Sequence, residues 1–377
     1  MPDKHLHIVA FDIPYPPNYG GVIDVFYKLK ALHKKGIKII LHCYEYPGRD
    51  RSDKLNEFCE EVYYYPRILG IRSALSFKPY IVASRRSETL IKNLTNDNYP
   101  ILFEGLHSCY YLDDKRLKGR FLVYRESNIE HRYYFSLARV DKNLFKKIYF
   151  MIASIKLRIY QRVLKHASLM LAVSEKDTNY LQGHFPGGNV VYLPSFHAND
   201  SINSMTGMGD YALYNGNIEV PENAHAVKYL IEQVFAGSKL PLVIAGMNPP
   251  KHILKIAEHH SNVSVIANPS DEKMFDLIKH AHVNILVTFQ ATGLKLKLLN
   301  TLYRGRFCLV NDKMLNGTGL DELCEIANDP SEQKKILNML FEKEYKTENI
   351  NKRKEVLNIR YSNDHNANKL IGLVFGT

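Results

Sequence analysis

The stretch LHIVAFDIPYPPNYGGVIDVFYKLKALHKKGIKIILHCY, residues 6–44, predicts the first strand, helix and strand of the fold. Residues 6–11 form a short apolar run that is typical of a buried strand, and a loop rich in Pro and Gly follows it. A helical pattern over 22–35 ends at Gly36, and residues 37–44 predict a second strand. A strand, a helix and another buried strand in this order favour a parallel sheet that is covered by helices.

The same alternation continues through the chain in two series. In the first series, further strands are predicted at 62–65, 101–104, 121–124 and 169–173. In the second series, strands are predicted at 211–216, 241–246, 262–267, 283–288 and 307–310, with helices at 222–236, 251–259, 271–281 and 294–304. A chain of 377 residues is longer than a single core usually serves. The pattern therefore predicts an α/β protein with two Rossmann-like domains.

Composition places the boundaries between these domains. Residues 1–195 form the predicted N-terminal domain, and 196–210 are a linker within a stretch rich in Ser, Asn, Gly and Asp. Residues 211–347 form the predicted C-terminal domain. Residues 348–377 are a helical segment that could pack back on the N-terminal domain.

The overall composition indicates a cellular compartment and a class of binding partner. Five scattered cysteines without a CxxC pair, no secretory signal and no apolar run of bilayer length favour a cytoplasmic protein. A formal net charge of +11 favours an anionic partner. The sequence has neither zinc-finger spacing nor an RRM-like aromatic signature, so a nucleic acid is the least supported anionic partner.

Ligands of open parallel sheets collect at the carboxyl ends of the strands, so the polar loops there are candidate sites. After the first strand, paired glycines let backbone N–H groups approach an anion or a sugar, although a tight turn would also explain them. Residues 125–131, RESNIEH, concentrate side chains suited to a polyhydroxylated ligand, or else cap a helix through Ser127 or Asn128. The residues assigned to the acceptor or sugar side are Gly20, Gly21, Glu104, His107, Arg125, Asn128, Glu130 and His131.

The second series offers a candidate phosphate site in TGLKLKLLN, residues 292–300. Lysines in the first turn of a helix are unfavourable next to the helix dipole. A bound anion would offset this unfavourable charge, because the lysines and the backbone N–H groups can share it. The simpler alternative is that the two lysines merely face solvent on an amphipathic helix. The residues assigned to donor binding are Gly216, Asn217, Gly246, Thr292, Gly293 and Asn300, with Lys295 and Lys297 as catalytic residues.

In their order, these motifs resemble those of the GT-B glycosyltransferases, particularly the retaining family four. The matching residues are Tyr19-Gly20-Gly21, Arg125 with Asn128 and Glu130, Val173-Ser174, Leu193-Pro194, Gly216, Gly246 and the stretch 293–305. The resemblance implies two Rossmann-like domains that face each other across a cleft. It further implies a nucleotide-diphosphate sugar as co-substrate on the second domain, the acceptor on the first, retention of configuration, and no cofactor or obligatory metal.

The chain departs from that family at several signature positions. Thr292 and Asn300 fall where the family has two glutamates, Asn217 replaces an arginine, and Ser127 replaces a histidine. Neutralisation of the diphosphate would then come from Lys297, with Lys295 in support, and from helix N-termini. Asn300 would hold the ribose as a neutral amide.

These features together predict a hexosyltransferase-like enzyme. It would move a hexose-like sugar from a nucleotide-diphosphate sugar to a glycan or lipid-linked acceptor, in surface polysaccharide or glycoconjugate synthesis. Two alternatives stay open: a sugar-nucleotide epimerase of similar architecture, and a non-catalytic protein that binds nucleotide sugars or glycans.

One further segment, residues 139–165, combines eight Lys or Arg residues with a single acid. Its apolar residues recur at helical spacing at 144, 145, 148, 149, 152, 155, 159 and 163. The pattern predicts a helix whose apolar stripe is buried. Its basic face would be either merely solvated or in peripheral, salt-sensitive contact with anionic lipid at the inner membrane face.

Overall fold

The computed structural model describes residues 3–46, 48–141, 143–289 and 296–376. The chain divides into two compact units, and each is built on one parallel sheet. The first unit comprises Met1–His197 together with Tyr361–Thr377, and the second comprises Ala198–Arg360.

The sheet of the first unit has the strand order β3-β2-β1-β4-β5-β6-β7 among the described residues. The strands are β1 (His5–Ala10), β2 (Lys38–Tyr44), β3 (Glu61–Tyr65), β4 (Ile101–Glu104), β5 (Leu122–Glu126), β6 (Leu169–Ala172) and β7 (Val190–Tyr192). In register, Ile8 of β1 lies opposite Leu41 of β2 and Leu102 of β4. The predicted strands lie within two residues of these bounds, whereas the short β7 was not predicted.

Helices pack on both faces of this sheet. They are α1 (Gly20–Lys34), α2 (Ile71–Ala74), α3 (Tyr80–Ala83), α4 (Glu88–Leu94), α5 (Glu130–Val140), α6 (Leu144–Tyr160) and α7 (Glu175–His184), joined by the C-terminal helix α15 (Asn363–Phe375). Successive side chains of a strand point to opposite faces. Accordingly, Ile8 packs in the core that includes α1 and α15, and Val9 packs in the core that includes α4, α6 and α7.

The second unit has the strand order β10-β9-β8-β11-β12-β13 among its described residues. The strands are β8 (Ala212–Asn217), β9 (Leu242–Met247), β10 (Val263–Ala267), β11 (Val283–Leu286), β12 (Phe307–Val310) and β13 (Glu325–Ile326). The helices are α8 (Pro221–Tyr229), α9 (Lys251–Glu258), α10 (Asp271–His280), α11 (Leu296–Arg304), α12 (Asp312–Leu315), α13 (Pro330–Phe341) and α14 (Thr347–Arg360). The segment Leu230–Val234 continues α8 as a π-helix.

The C-terminal residues do not form one element. The segment predicted at 348–377 contains two helices, of which α14 belongs to the second unit and α15 to the first. Within the first unit, Lys35 Nζ at the end of α1 lies 2.7 Å from Asp364 Oδ1 at the start of α15.

The prediction that the apolar stripe of residues 144–159 is buried was wrong. Ser154 and Leu157 are the buried residues of α6, whereas Leu144, Phe145 and the rest of the stripe through Ile159 are exposed. The helix therefore packs through a different side, and only Val163, beyond its end, is buried as predicted. None of the described helices is both long and apolar enough to cross a membrane.

Candidate functional site

In the first unit, the strand order reverses between β1 and β4, and the loops that follow these strands meet there. Phe11, directly after β1, lies with its ring centroid 5.5 Å from that of His107, which follows β4. A Cβ atom on Gly21 would lie 2.6 Å from Phe11 Cζ. Glycine at this position therefore lets α1 begin close to the ring. The N-cap residue of α1, Tyr19, makes no side-chain capping bond, and its hydroxyl donates to Asp12 Oδ2 at 2.6 Å.

His107 and Glu130 form the main titratable pair of this region. His107 Nδ1 lies 3.8 Å from Glu130 Oε1, and this nitrogen has no hydrogen-bond partner in the described part of the chain. Burial, and then the positive charges of Arg85 and Arg67, hold the pKa of His107 well below its usual value. Burial also raises the pKa of Glu130 to about 8, although Arg85 opposes this shift.

The pair is therefore a neutral imidazole beside a protonated carboxyl group at neutral pH. The His107 side chain is 21% exposed, so a ligand can reach the ring, whereas Glu130 is buried. Arg85 does not contact a ligand from here, because its guanidinium donates to the carbonyl oxygen of Phe11 at 3.0 and 2.8 Å. A neutral imidazole that a ligand can reach is able to accept a proton, although its lowered pKa makes it a weaker base than a free histidine.

Two residues assigned to the acceptor side are instead inside the unit. Arg125 is fully buried and bonds to Asp24 and to the carbonyl oxygens of Leu193 and Pro194. Glu104 is buried against Lys28, whose Nζ lies 2.6 Å from Glu104 Oε1 and 3.0 Å from Asp24 Oδ2.

This cluster of four buried charges is structural. Burial opposes ionisation of Asp24, but Arg125 and Lys28 outweigh it and lower the pKa of Asp24 to about 2. Asp24 Oδ1 also accepts a bond of 2.7 Å from the backbone N–H of Phe196. The cluster thus ties α1 to the segment that leaves the sheet after β7. Arg125 and Glu104 are therefore not accessible to an acceptor, since their polar groups are occupied and shielded from solvent.

Of the other residues in the 125–131 segment, Asn128 is partly accessible to solvent, whereas His131 packs against a neighbouring element. Asn128 is half-buried, and its backbone N–H donates to Glu126 Oε1 at 3.0 Å. The N-cap position of α5 is Ile129, which makes no side-chain capping bond, so neither Ser127 nor Asn128 is the cap. His131 Nδ1 lies 3.0 Å from Gln161 Oε1, a contact that packs α5 against the chain after α6.

In the second unit, a glycine pair lies at the carboxyl ends of β8 and β9. Gly216 and Gly246 are opposite each other in the register of these strands. A Cβ atom on Gly246 would lie 1.9 Å from the carbonyl oxygen of Gly216, so no other residue fits. Asn217 is exposed and closes the turn into α8, because its Oδ1 accepts from the Glu219 N–H at 3.1 Å.

Lys297 reaches the end of β8 from the first turn of α11. Its Nζ donates to Asn223 Oδ1 at 3.4 Å and lies 5.1 Å from the ring centroid of Tyr214. Tyr214 OH also donates to Asn223 Oδ1, at 3.1 Å. A Cβ atom on Gly216 would lie 3.6 Å from the Asn223 amide. The half-buried ammonium group is therefore held beside the glycine-containing end of β8.

Of the remaining residues assigned to donor binding or catalysis, Asn300 lies within the described ranges. Thr292, Gly293 and Lys295 lie outside the described residues. Asn300 is half-buried, and its Oδ1 accepts from Asn199 Nδ2 at 2.8 Å.

Sequence reasoning missed Asn223 and Arg85. Asn223 carried a weak signal, as a polar residue at the second position of the helix predicted at 222–236. Arg85 carried none, because its bonds to the carbonyl oxygen of Phe11 depend on how α3 packs. Within the described ranges, no group of three or more His, Cys, Asp or Glu residues could hold a metal ion.

Comparisons with known proteins point to one fold. No protein-family model matches the chain. An uncharacterized 44.6 kDa protein in the cps region of Klebsiella pneumoniae is 26% identical over 347 residues, which cover 85% of this chain and 87% of that protein.

Solved structures resemble the chain over its whole length. A glycosyltransferase from Rickettsia africae has a TM-score of 0.66 at 10% identity, covering 99% of this chain and 98% of that one. The lipopolysaccharide outer core galactosyltransferase WaaB has a TM-score of 0.62 at 12% identity, covering 99% and 100%. At such low identity, the likeness shows the fold: the chain has the two Rossmann-like domains of the GT-B class.

Proposed function

We propose, from the GT-B fold that this chain shares with solved glycosyltransferases, that it moves a hexose-like sugar from a nucleotide-diphosphate sugar to an acceptor. The observation that carries the proposal is the position of Lys297, whose ammonium group lies beside Asn223 and the end of β8. The Gly216–Gly246 pair brings two backbones close together at the same edge. A phosphate group can approach a main chain that carries no side chain.

In this proposal the second unit binds the donor. Lys297 stabilises the negative charge that develops on the leaving nucleotide diphosphate, with Lys295 in support. Fixed cations aimed at developing charge are a large source of transition-state stabilisation. Thr292 and Gly293 complete the phosphate site, and Asn217 lies at its rim. Asn300 hydrogen-bonds the ribose hydroxyls through its amide nitrogen, since its oxygen is bonded to Asn199.

The first unit binds the acceptor. Gly20 and Gly21 present backbone N–H groups at the start of α1, and Asn128 is available at the edge of the loop. His107 accepts the proton of the attacking hydroxyl group, and Glu130 Oε1 lies 3.8 Å from its Nδ1 atom. We assign His131 to packing rather than to the ligand, because Gln161 occupies its Nδ1.

The stereochemistry of the transfer depends on whether His107 acts as the base. The resemblance to the retaining family four implies retention of configuration. A base next to the acceptor hydroxyl group is, in contrast, the arrangement that an inverting displacement uses. NMR of the anomeric proton of the first product distinguishes the two outcomes.

The acceptor that we propose is a glycan or a lipid-linked sugar of a surface polysaccharide or glycoconjugate. Two relatives support this class: the protein from a cps region and the lipopolysaccharide outer core galactosyltransferase.

The test is a panel of UDP-, GDP-, dTDP- and ADP-sugars, with release of the nucleotide diphosphate measured with and without glycan acceptors. Acceptor-dependent release from one donor, with a new glycoside in the product, supports the proposal. Conversion of the donor into its epimer without release would show an epimerase instead. Tight binding of a donor without turnover across the panel would show a binding protein.

A His107→Gln variant tests the assignment of the base. General-base catalysis contributes about 10²–10⁴-fold, so turnover should fall by a factor in this range while donor affinity stays unchanged. His131→Gln is the matched control, because it removes an imidazole of α5 that we place in packing against Gln161. Equal activity of the two variants would remove His107 from the mechanism.

A further inference from the structure

The outward side of α6 is apolar. Phe145 is 84% exposed, Leu144 67% and Ile159 59%. Ile148, Ile152 and Ile155 are exposed between them, spaced by three or four residues along the helix. Residues at this spacing share one face of a helix. A monomeric soluble protein rarely exposes a contiguous apolar surface of this kind without a function for it.

A second segment extends this surface. In the chain from Ile68 to Phe77, which includes α2, Phe77 is fully exposed, Leu75 is 79% exposed and Ile71 is 76% exposed. Lys156 of α6 donates a hydrogen bond of 2.9 Å to the backbone oxygen of Ser76, so the two segments are in contact. We call the exposed apolar side chains of 68–77 and 144–159 the apolar face.

The segments that carry the apolar face contain no acidic residue, although Lys78 lies 3.6 Å from Asp113 and Arg86 lies 3.6 Å from Glu88. Residues 62–87 include five Lys or Arg and no Asp or Glu, and residues 142–174 include seven Lys or Arg and no Asp or Glu. Arg72, Lys146 and Arg158 are exposed beside the apolar side chains. The same region therefore offers both apolar area and positive charge.

We propose that the apolar face inserts into the interfacial layer of a membrane that contains anionic lipids. Acyl chains would cover the apolar side chains, and phosphate headgroups would pair with the surrounding cations. Amphipathic helices with basic residues at the edge of an apolar side bind membranes in this way. A second copy of the chain fits less well, since two apolar faces in contact would bring two sets of positive charges together.

This mode of binding has two separable components. The basic residues act over a short distance that shrinks with salt, and each contributes about fivefold to the partition coefficient near an anionic leaflet. The inserted apolar side chains contribute through removal from water, which salt does not screen. The purely electrostatic contact suggested by the sequence pattern would lose all affinity at high salt, whereas insertion retains part of it.

The test is sedimentation of the full chain with vesicles, without any sugar donor, so that its outcome is independent of the proposed function. One set of vesicles is an equimolar mixture of phosphatidylglycerol and phosphatidylcholine, and the other is phosphatidylcholine alone. We expect strong binding to the mixed vesicles, weak binding to the neutral ones, and residual binding to the mixed vesicles at high salt.

Two pairs of variants separate the components. Leu75→Ser/Phe77→Ser should lower the partition coefficient about tenfold or more, because each side chain loses its transfer out of water. The control Ile359→Ser removes a side chain of α14 that is 67% exposed and should have no effect. Lys146→Glu/Arg158→Glu should lower the partition coefficient about 25-fold or more at low salt. Its control, Lys334→Glu/Lys335→Glu, makes the same change in net charge on exposed positions of α13.

Three results would overturn the proposal. The parent chain could stay in the supernatant with the mixed vesicles at low salt. The serine variants could bind as tightly as the parent while remaining folded by circular dichroism. Sedimentation velocity could show a dimer that the serine variants dissociate, in which case a second copy of the chain covers the apolar face.

Discussion

Replacement of Lys297 by alanine tests the donor site most directly. The substitution removes a cation from the first turn of α11 and leaves the helix with a residue of higher helix propensity. It also removes the bond of 3.4 Å to Asn223 and the contact over the Tyr214 ring at 5.1 Å. These two contacts are with neutral groups.

The expected losses in stability and in turnover differ in size. A bond of this length and a cation–π contact together contribute about 1 kcal/mol, which lowers the melting temperature of a unit of this size by about 2–4 °C. A charge-assisted bond to a phosphate contributes about 1.5–3 kcal/mol, so its loss from the transition state lowers kcat/KM about 10–100-fold. Turnover should therefore fall far more than stability.

The assay measures release of nucleotide diphosphate from the donor that the panel identifies, together with a thermal melt of the same samples. Lys334→Ala, on an exposed position of α13, is the matched control and should leave both quantities unchanged. If Lys297→Ala keeps its activity within twofold of the parent, the ammonium group does not act on the diphosphate, and the assignment of the donor site is wrong.

Glu130→Gln should become more stable relative to the parent as the pH rises from about 5 to 8. The folded parent keeps a proton on Glu130 up to its pKa of about 8, whereas the unfolded chain releases it near the usual value, so this stability is complete at low pH and is lost as the pH rises. Parallel melting curves for the two proteins would contradict this assignment. Gly246→Ala should destabilise the chain by about 1–3 kcal/mol in urea, because its Cβ atom would meet the Gly216 oxygen at 1.9 Å. Gly183→Ala, which meets nothing within 4 Å on α7, should be neutral or stabilising by up to about 1 kcal/mol, and equal effects of the two would refute the argument. Asp24→Ala should cost about 3–5 kcal/mol, since it leaves buried cations without their shared carboxylate, and a cost below about 1 kcal/mol would exclude a stabilising role for the cluster.

The regular elements were largely predictable from local spacing. The strands from 6–11 to 307–310 were recognised because each is a short apolar run bounded by turn residues, and every one is present within two residues of its predicted bounds. The prediction missed β7 and β13, which have three and two residues. Strands this short carry too few side chains to produce a pattern, and they form by pairing with a neighbour that is already in place.

The candidate site was predictable in position but not in the role of each residue. Parallel strands end at one edge of a sheet, so the loops after β1, β4 and β5 were expected to meet, and His107 and Glu130 lie 3.8 Å apart there. Whether a side chain in such a loop points to solvent or inward depends on partners elsewhere in the chain. Arg125 is buried because Asp24, about a hundred residues earlier, supplies its counter-charge.

The sequence by itself determined the two βα series, the bounds of their longer strands, the excess of positive charge and the candidate loops. These properties depend on residue type and on spacing within a few turns. Only the tertiary structure decided which polar groups are paired inside and which side of α6 is covered. The stripe from Leu144 to Ile159 has the periodicity of a core helix, yet the buried side is that of Ser154 and Leu157. Periodicity shows that a helix has an apolar side, but only the elements packed around the helix determine whether protein or solvent lies against it.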